Sequence, residues 1–229
     1  GLSFHTFQEM SYLLEVYRGR RKAERHLGIF SVYVMFYPQL VAGPIERPQH
    51  LLKQFYEKHY FDFRNAENGL KLMLWGLFKK IVVADRLAIY VNAVYNNAEH
   101  HNGITLIVAT IFFSFQVYCD FSGYSDIAVG AARVMGFNLI NNFNIPYLSK
   151  SVAEFWSKWH ISLTNWLRDY IYLPMVSLLN RKIKKKKVLK IDRAILIYSG
   201  ATLVTFILCG IWHGAAWTFV ILGLVHAFY

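Results

Sequence analysis

The segment Gly210-Ile-Trp-His-Gly-Ala-Ala-Trp217 sets a histidine in a stretch with almost nothing else to ionise. His213 is the one histidine between residues 194 and 225, and no Asp, Glu, Lys or Arg follows Arg193. Ionisable side chains within apolar, membrane-like segments are costly and by default mark functional sites. Apolar surroundings favour the neutral imidazole, the form that accepts a proton as a general base. Gly210, Gly214, Ala215 and Ala216 leave room for a substrate or a neighbouring helix to come close. The plainer alternative is a histidine that only hydrogen-bonds a carbonyl of the next helix.

A second histidine, His160, stands in Phe155-Trp-Ser-Lys-Trp-His-Ile-Ser-Leu-Thr164. Alone, a histidine on such an aromatic face is more often structural. Two embedded histidines in one chain raise a paired role, one acting as base and the other orienting a group or stabilising charge. Other polar groups point elsewhere. Asp120, Ser122 and Asp126 do not have the spacing of a calcium loop, which needs more carboxylates and a closing Glu. Capping of a following helix and hydrogen bonds between helices are expected of them. Cys209 and His213 lie four apart, but two ligands are too few for a structural zinc site, so no metal is expected. Cys119 and Cys209 both fall in apolar runs and provide no disulfide framework. No phosphate-cradling glycine loop and no serine-nucleophile elbow is present.

The elements that must hold these histidines are those of a membrane. Of 229 residues, 55% are apolar and only 17% charged, below the usual quarter of a soluble domain. Residues 27–45 and 100–119 carry no Asp, Glu, Lys or Arg, and a helix needs roughly 20 such residues to cross a bilayer. The basic stretches 18–25 and 181–190 together hold 12 of the 25 Lys and Arg. Such clusters beside apolar spans are what cytoplasmic loops carry, and they suit anionic headgroups. The net charge of +11 therefore does not argue for nucleic acid, for which no recognition module is present.

Along the chain, residues 4–17 read as the end of a membrane helix entering the first basic loop. An apolar span over 27–42 breaks near Pro38, Gly43 and Pro44, and a loop with Arg47 and Pro48 follows. Residues 68–95 read as a tilted or interfacial helix, because Lys79, Lys80, Asp85 and Arg86 are costly in hydrocarbon. A clean span over 103–119 and a short helix over 124–137 come next. The spacing over 152–173 predicts one helix with Trp156, Trp159, His160, Leu163, Leu167, Tyr170 and Ile171 on one face. Lys158, Ser162, Asn165 and Asp169 line the other, as in an interfacial or bundle helix. Residues 194–212 span, Gly214 breaks the helix, and 215–229 begin another apolar segment. Five to seven crossings are expected, and if both basic loops are cytoplasmic an even number of them lies between the two.

Four stretches carry a resemblance. Tyr37-Pro-Gln-Leu-Val-Ala-Gly-Pro-Ile-Glu-Arg-Pro48, Cys119-Asp-Phe-Ser-Gly-Tyr-Ser-Asp126, Phe155–Asp169 and Trp212-His-Gly214 resemble the membrane-bound O-acyltransferases. Within that family the chain is most similar to the bacterial branch that contains the alginate O-acetylation membrane protein. The resemblance implies an all-α, polytopic transmembrane bundle with broken or re-entrant and interfacial helices around a central tunnel. It places the family's catalytic histidine on His213 and its second motif position on His160. It implies an acyl thioester donor such as acetyl-CoA, arriving from the cytoplasm, with no tightly bound cofactor and with cofactor-binding residues unknown. The acceptor is expected to be a hydroxyl of an extracytoplasmic polysaccharide, reached with a periplasmic or extracellular partner acyltransferase. The bilayer is the other partner, and the bacterial inner membrane is the expected location. Residues 1–229 are expected to form one domain of this type, incomplete at both ends. A proton-coupled transporter and a non-catalytic scaffold for a partner acyltransferase are the rival functions.

Overall fold

The first element, α1 (Leu2–Tyr17), runs into a turn at Gly19, whose φ of 68° suits glycine. The computed structural model describes residues 2–40, 43–188 and 191–228, and the chain divides into two compact units, Gly1–Asn144 and Ile145–Tyr229.

In the first unit, His26 caps α2 (Leu27–Val34) by accepting a hydrogen bond from the Ile29 amide. The apolar run expected to span over 27–42 stops as an α-helix at Val34, and a 3₁₀ turn at Tyr37–Gln39 carries Pro38. Its last two residues lie outside the described set. The physical reason is packing as much as proline. Tyr33 is fully buried with Tyr12, Phe36, Leu51 and Leu52, and its carbonyl accepts hydrogen bonds from the side chains of Gln8 (2.8 Å) and Gln39 (3.3 Å). These amides satisfy backbone that a broken helix leaves open. Pro48 then opens α3 (Pro48–Gln54), where the missing N–H costs nothing. Ahead of it Glu46 is fully buried, accepting from the Ile140 amide (2.6 Å) and meeting His50 (2.7 Å). Gln54 pairs with the Asn138 backbone in both senses, at 2.8 and 2.9 Å. The side chains of Glu46 and Gln54 thus tie this short segment to the stretch 138–140.

Asp62 caps α4 (Phe63–Leu77), which passes through a π-helical stretch at Phe78–Ala84 into α5 (Asp85–Tyr95). Asn102 caps α6 (Gly103–Val134), a single helix of 32 residues. The two helices expected over 103–119 and 124–137 are therefore one. Gly123 does not break it, because its missing side chain is used for packing. A Cβ at Gly76 would lie 2.6 Å from the Gly123 carbonyl oxygen, and one at Gly69 would lie 2.6 Å from that of Gly130. Each pair of glycines is spaced by seven residues, about two turns, so α4 and α6 meet backbone to backbone along one seam. Just beyond that seam sit the two lysines that made a membrane helix look costly. Lys79 Nζ donates to Ser122 (2.9 Å) and pairs with Asp126 (2.7 Å), while Lys80 pairs with Asp120 (2.7 Å) and Asp85 (2.6 Å). Asp120, Ser122 and Asp126 cap nothing, since they lie mid-helix. The expected bonds between helices are what they make.

In the second unit, α7 (Val152–Lys158) and α8 (Ile161–Leu167) are separate helices, followed by a π-helical stretch at Arg168–Tyr172 and by α9 (Leu173–Lys182). The single helix expected over 152–173 is broken at Trp159–His160. Ser162, expected on the polar face, is buried with Leu163 and Trp166. Two-residue strands, β1 (Lys187–Val188) and β2 (Ile191–Asp192), pair antiparallel and lead into α10 (Arg193–His213). Arg193 holds this junction by donating to the Asn180 and Ile183 carbonyls of the chain leaving α9. After a break at Gly214, α11 (Trp217–Phe228) packs against α10. Among the described helices, α6 and α10 are long and apolar enough to cross a bilayer, and α11 is a shorter apolar helix of 12 residues. The all-α expectation holds apart from the two-residue strands.

Candidate active site

Both sequence-predicted histidines lie in the second unit, and the chain treats them differently. Ser151 caps α7 by accepting from the Glu154 amide (3.1 Å), and a Glu154–Lys158 pair (2.7 Å) spans its last turn. The chain then turns sharply. His160 takes a left-handed conformation with φ of 41°, at the position that opens α8. A non-glycine residue there costs of order 1–3 kcal/mol and persists only when its surroundings over-determine it. Here the Thr164 amide bonds the His160 carbonyl (3.0 Å) and the Thr164 hydroxyl bonds the Trp159 carbonyl (3.1 Å), fixing both peptides at the break. The ring is 5% exposed, and the Ser162 hydroxyl stands 3.5 Å from its Nδ1. Burial, reinforced by nearby His213, pushes His160 well below the ordinary histidine value, so it is neutral at physiological pH.

His213 ends α10, where Gly214 turns the backbone away. It is exposed among the described residues, unlike His160. Its ring lies beside Trp212 (centroids 4.7 Å) and stacks at 21° on Phe219 of α11 (6.3 Å). A Cβ at Gly214 would lie 2.5 Å from that phenyl ring, so glycine here lets Phe219 come against the chain next to the histidine. One imidazole is therefore buried and uncharged, and the other is accessible and held by aromatic neighbours. His213 is close enough to His160 to act on it electrostatically. An accessible neutral imidazole beside a fixed hydrogen-bonding one is suited to moving a proton during nucleophilic attack.

Sequence reasoning set Trp156 on the face of His160 but missed the residue it meets, His226. Trp156 of α7 packs on Phe206 (5.2 Å) and edge-on to His226 (5.1 Å, 84°). His226 stacks on Phe206 (6.0 Å, 27°). The signal was present in the spacing: Phe206 and His213 are seven apart on α10, and Phe219 and His226 are seven apart on α11. Among the described residues no group of three or more His, Cys, Asp or Glu side chains is arranged to hold a metal ion. Asp120 and Asp126 lie in the first unit and engage lysines, and Cys209 is a buried free thiol.

Among the described residues two helices have the length and composition to cross a bilayer, and His213 ends one of them. Residues 2–229 match the membrane-bound O-acyltransferase family, and the chain belongs to that family. It is 37% identical over 227 residues to a probable alginate O-acetylase AlgI of Azotobacter vinelandii, covering 99% of this chain and 42% of that protein. A peptidoglycan O-acetyltransferase of Helicobacter pylori is 34% identical over 251 residues, 98% of this chain and 45% of the relative. A teichoic acid D-alanyltransferase of Bacillus subtilis is 29% identical over 231 residues, 99% of this chain and 56% of the relative. The chain thus spans about half the length of the curated relatives it matches or less.

Proposed function

We propose that the protein containing this chain is a multi-pass enzyme of the bacterial inner membrane. It transfers an acetyl group from a cytoplasmic thioester, acetyl-CoA, toward hydroxyls of an extracytoplasmic polysaccharide. The observation that carries this is the pairing of exposed His213 with buried, neutral His160 inside one compact unit. The names of the relatives support it, since two of the three above are acetylases of a glycan polymer and stand nearer in sequence than the D-alanyltransferase.

The chemistry asks little of the site beyond proton transfer and stabilisation of charge. A hydroxyl is a poor nucleophile at neutral pH. His213 takes its proton as the hydroxyl oxygen attacks the thioester carbonyl carbon. The carbonyl oxygen gains negative charge, and His160, donating from one ring nitrogen, is placed to stabilise it or to orient the acceptor. The C–S bond then breaks, and the departing thiolate takes the proton from His213, leaving an ester and a free thiol. Neither histidine changes its net protonation over the cycle. A periplasmic or extracellular partner acyltransferase carries the group onward to the polymer.

The test is acetyl transfer from labelled acetyl-CoA in membranes that contain the full-length protein with His213→Ala. Loss of a general base costs about 10²–10⁴-fold in rate, and a loss in that range is expected at unchanged protein abundance. Undiminished transfer removes His213 from the mechanism. Substrate flux across sealed vesicles without any acyl donor would instead favour a transporter.

A further inference from the structure

The α10–α11 pair is built twice over the same plan. Gly210 and Gly223 lie at the middle of the contact, where an added Cβ on Gly210 would collide with the Phe219 carbonyl oxygen and one on Gly223 with that of Phe206. On one side of these glycines His213 stacks on Phe219, and on the other His226 stacks on Phe206, in similar near-parallel geometry at 6.3 and 6.0 Å. Moving either helix along the other by one residue would break both stacks together. His226 is also near enough to act on His213 electrostatically.

Trp156 closes the second stack from α7. Its indole Nε1 is buried and has no hydrogen-bond partner among the described residues. Buried N–H groups seldom go without an acceptor. The polar ring in edge contact with Trp156 is His226. A neutral imidazole has one nitrogen able to accept, directly or through a water. Trp156 lies on the short helix that leads into the left-handed turn at His160. His226 lies on the helix whose packing fixes Phe219 against His213.

We propose that Trp156 and His226 form a polar latch between α7 and the α10–α11 pair, and that His226 is a positioning residue setting the geometry of His160 relative to His213. This rests on the acyl-transfer reading above. Shape alone does not make the latch, because a phenyl ring at 226 would keep the stack on Phe206 and offer the buried Trp156 N–H no acceptor to close on. Without that closure α7 is held less firmly and the two catalytic histidines drift, which lowers turnover without touching acetyl-CoA.

Full-length protein in native membranes, with rates normalised to the amount of protein present, tests this using labelled acetyl-CoA. His226→Phe is expected to lower kcat about tenfold with KM for acetyl-CoA within about twofold. His226→Gln, which restores an acceptor, is expected to recover most of the rate. Trp156→Phe removes the donor, so the double variant Trp156→Phe/His226→Phe is expected to be no slower than His226→Phe alone. A kcat for His226→Phe within about twofold of wild type overturns the latch, as do losses that multiply in the double variant. His213→Ala in the same series separates the two ideas. Its full activity sinks the acyl-transfer mechanism, whereas an inactive His213→Ala beside a fully active His226→Phe sinks the latch alone.

Discussion

Replacing Lys79 by Met keeps a long unbranched stem and removes one charge from the α4–α6 seam. Lys79 Nζ now satisfies two groups of α6, the Ser122 hydroxyl at 2.9 Å and the Asp126 carboxylate at 2.7 Å. The lysine side chain is 10% exposed and that of Asp126 27%. Breaking a buried pair by deleting one partner costs about 3–5 kcal/mol, because the other charge stays buried and uncompensated. The partial exposure of Asp126 sets the expected loss at the lower end, about 3 kcal/mol. That corresponds to roughly a hundredfold change in the folding equilibrium. The second charge pair, Lys80 with Asp120 and Asp85, is untouched by the change and holds the neighbouring turn. Denaturant unfolding of the full-length protein in detergent micelles, followed by tryptophan fluorescence, measures the loss. Lys79→Met/Asp126→Leu removes both charges, and replacing a buried pair by apolar groups is often neutral or better. The double variant is therefore expected to regain most of the stability lost by the single one. A Lys79→Met protein as stable as wild type would refute the pairing as a stabilising contact. So would a double variant weaker than Lys79→Met, since the carboxylate would then not be the stranded group.

Two further outcomes follow from the first unit. Gly76→Val puts a branched side chain where even a Cβ would lie 2.6 Å from the Gly123 carbonyl oxygen; the backbones must part, and a loss of about 1–3 kcal/mol in the same unfolding experiment is expected. The Glu46 carboxylate raises the His50 pKa above the ordinary histidine value by its hydrogen bond, against a smaller opposing effect of burial. A raised folded pKa means the pair contributes fully below about pH 6.5, the unfolded value, and loses its contribution as pH climbs through the folded one. His50 is part exposed, so the effect is expected to be under about 1 kcal/mol, read as a stability decrease across that window that His50→Gln abolishes.

The residues of the proposed site and the family were both legible in the sequence. Charge-free runs, two basic loops and His213 in an apolar stretch are properties of local composition, and helical class follows from them without any knowledge of packing. The ends of α10 and the break at Gly214 were equally local, since glycine and the end of an apolar run mark them. Where neighbours decide, sequence reasoning failed. Residues 27–34 are apolar enough to begin a span, yet Tyr33 is buried in a core assembled from α1, α2, α3 and α6. The spans expected over 103–119 and 124–137 are one helix, and Gly123 between them is the point at which α6 meets Gly76. Lys79 and Lys80 look prohibitive until the aspartates of a helix some 40 residues away are set beside them.

His160 shows the division most clearly. Its residue type and its place among tryptophans made it a candidate, while its left-handed backbone and its burial belong to the break between α7 and α8. His226 lies just beyond the stretch 194–225 in which His213 stands alone, and the glycine contact between α10 and α11 brings it into the same cluster. Which groups can ionise and where the chain is apolar stand in the sequence, because both are carried by each residue alone. Which of those groups are buried, neutral or paired is a matter of packing, because desolvation and hydrogen bonding depend on what another part of the chain puts alongside them.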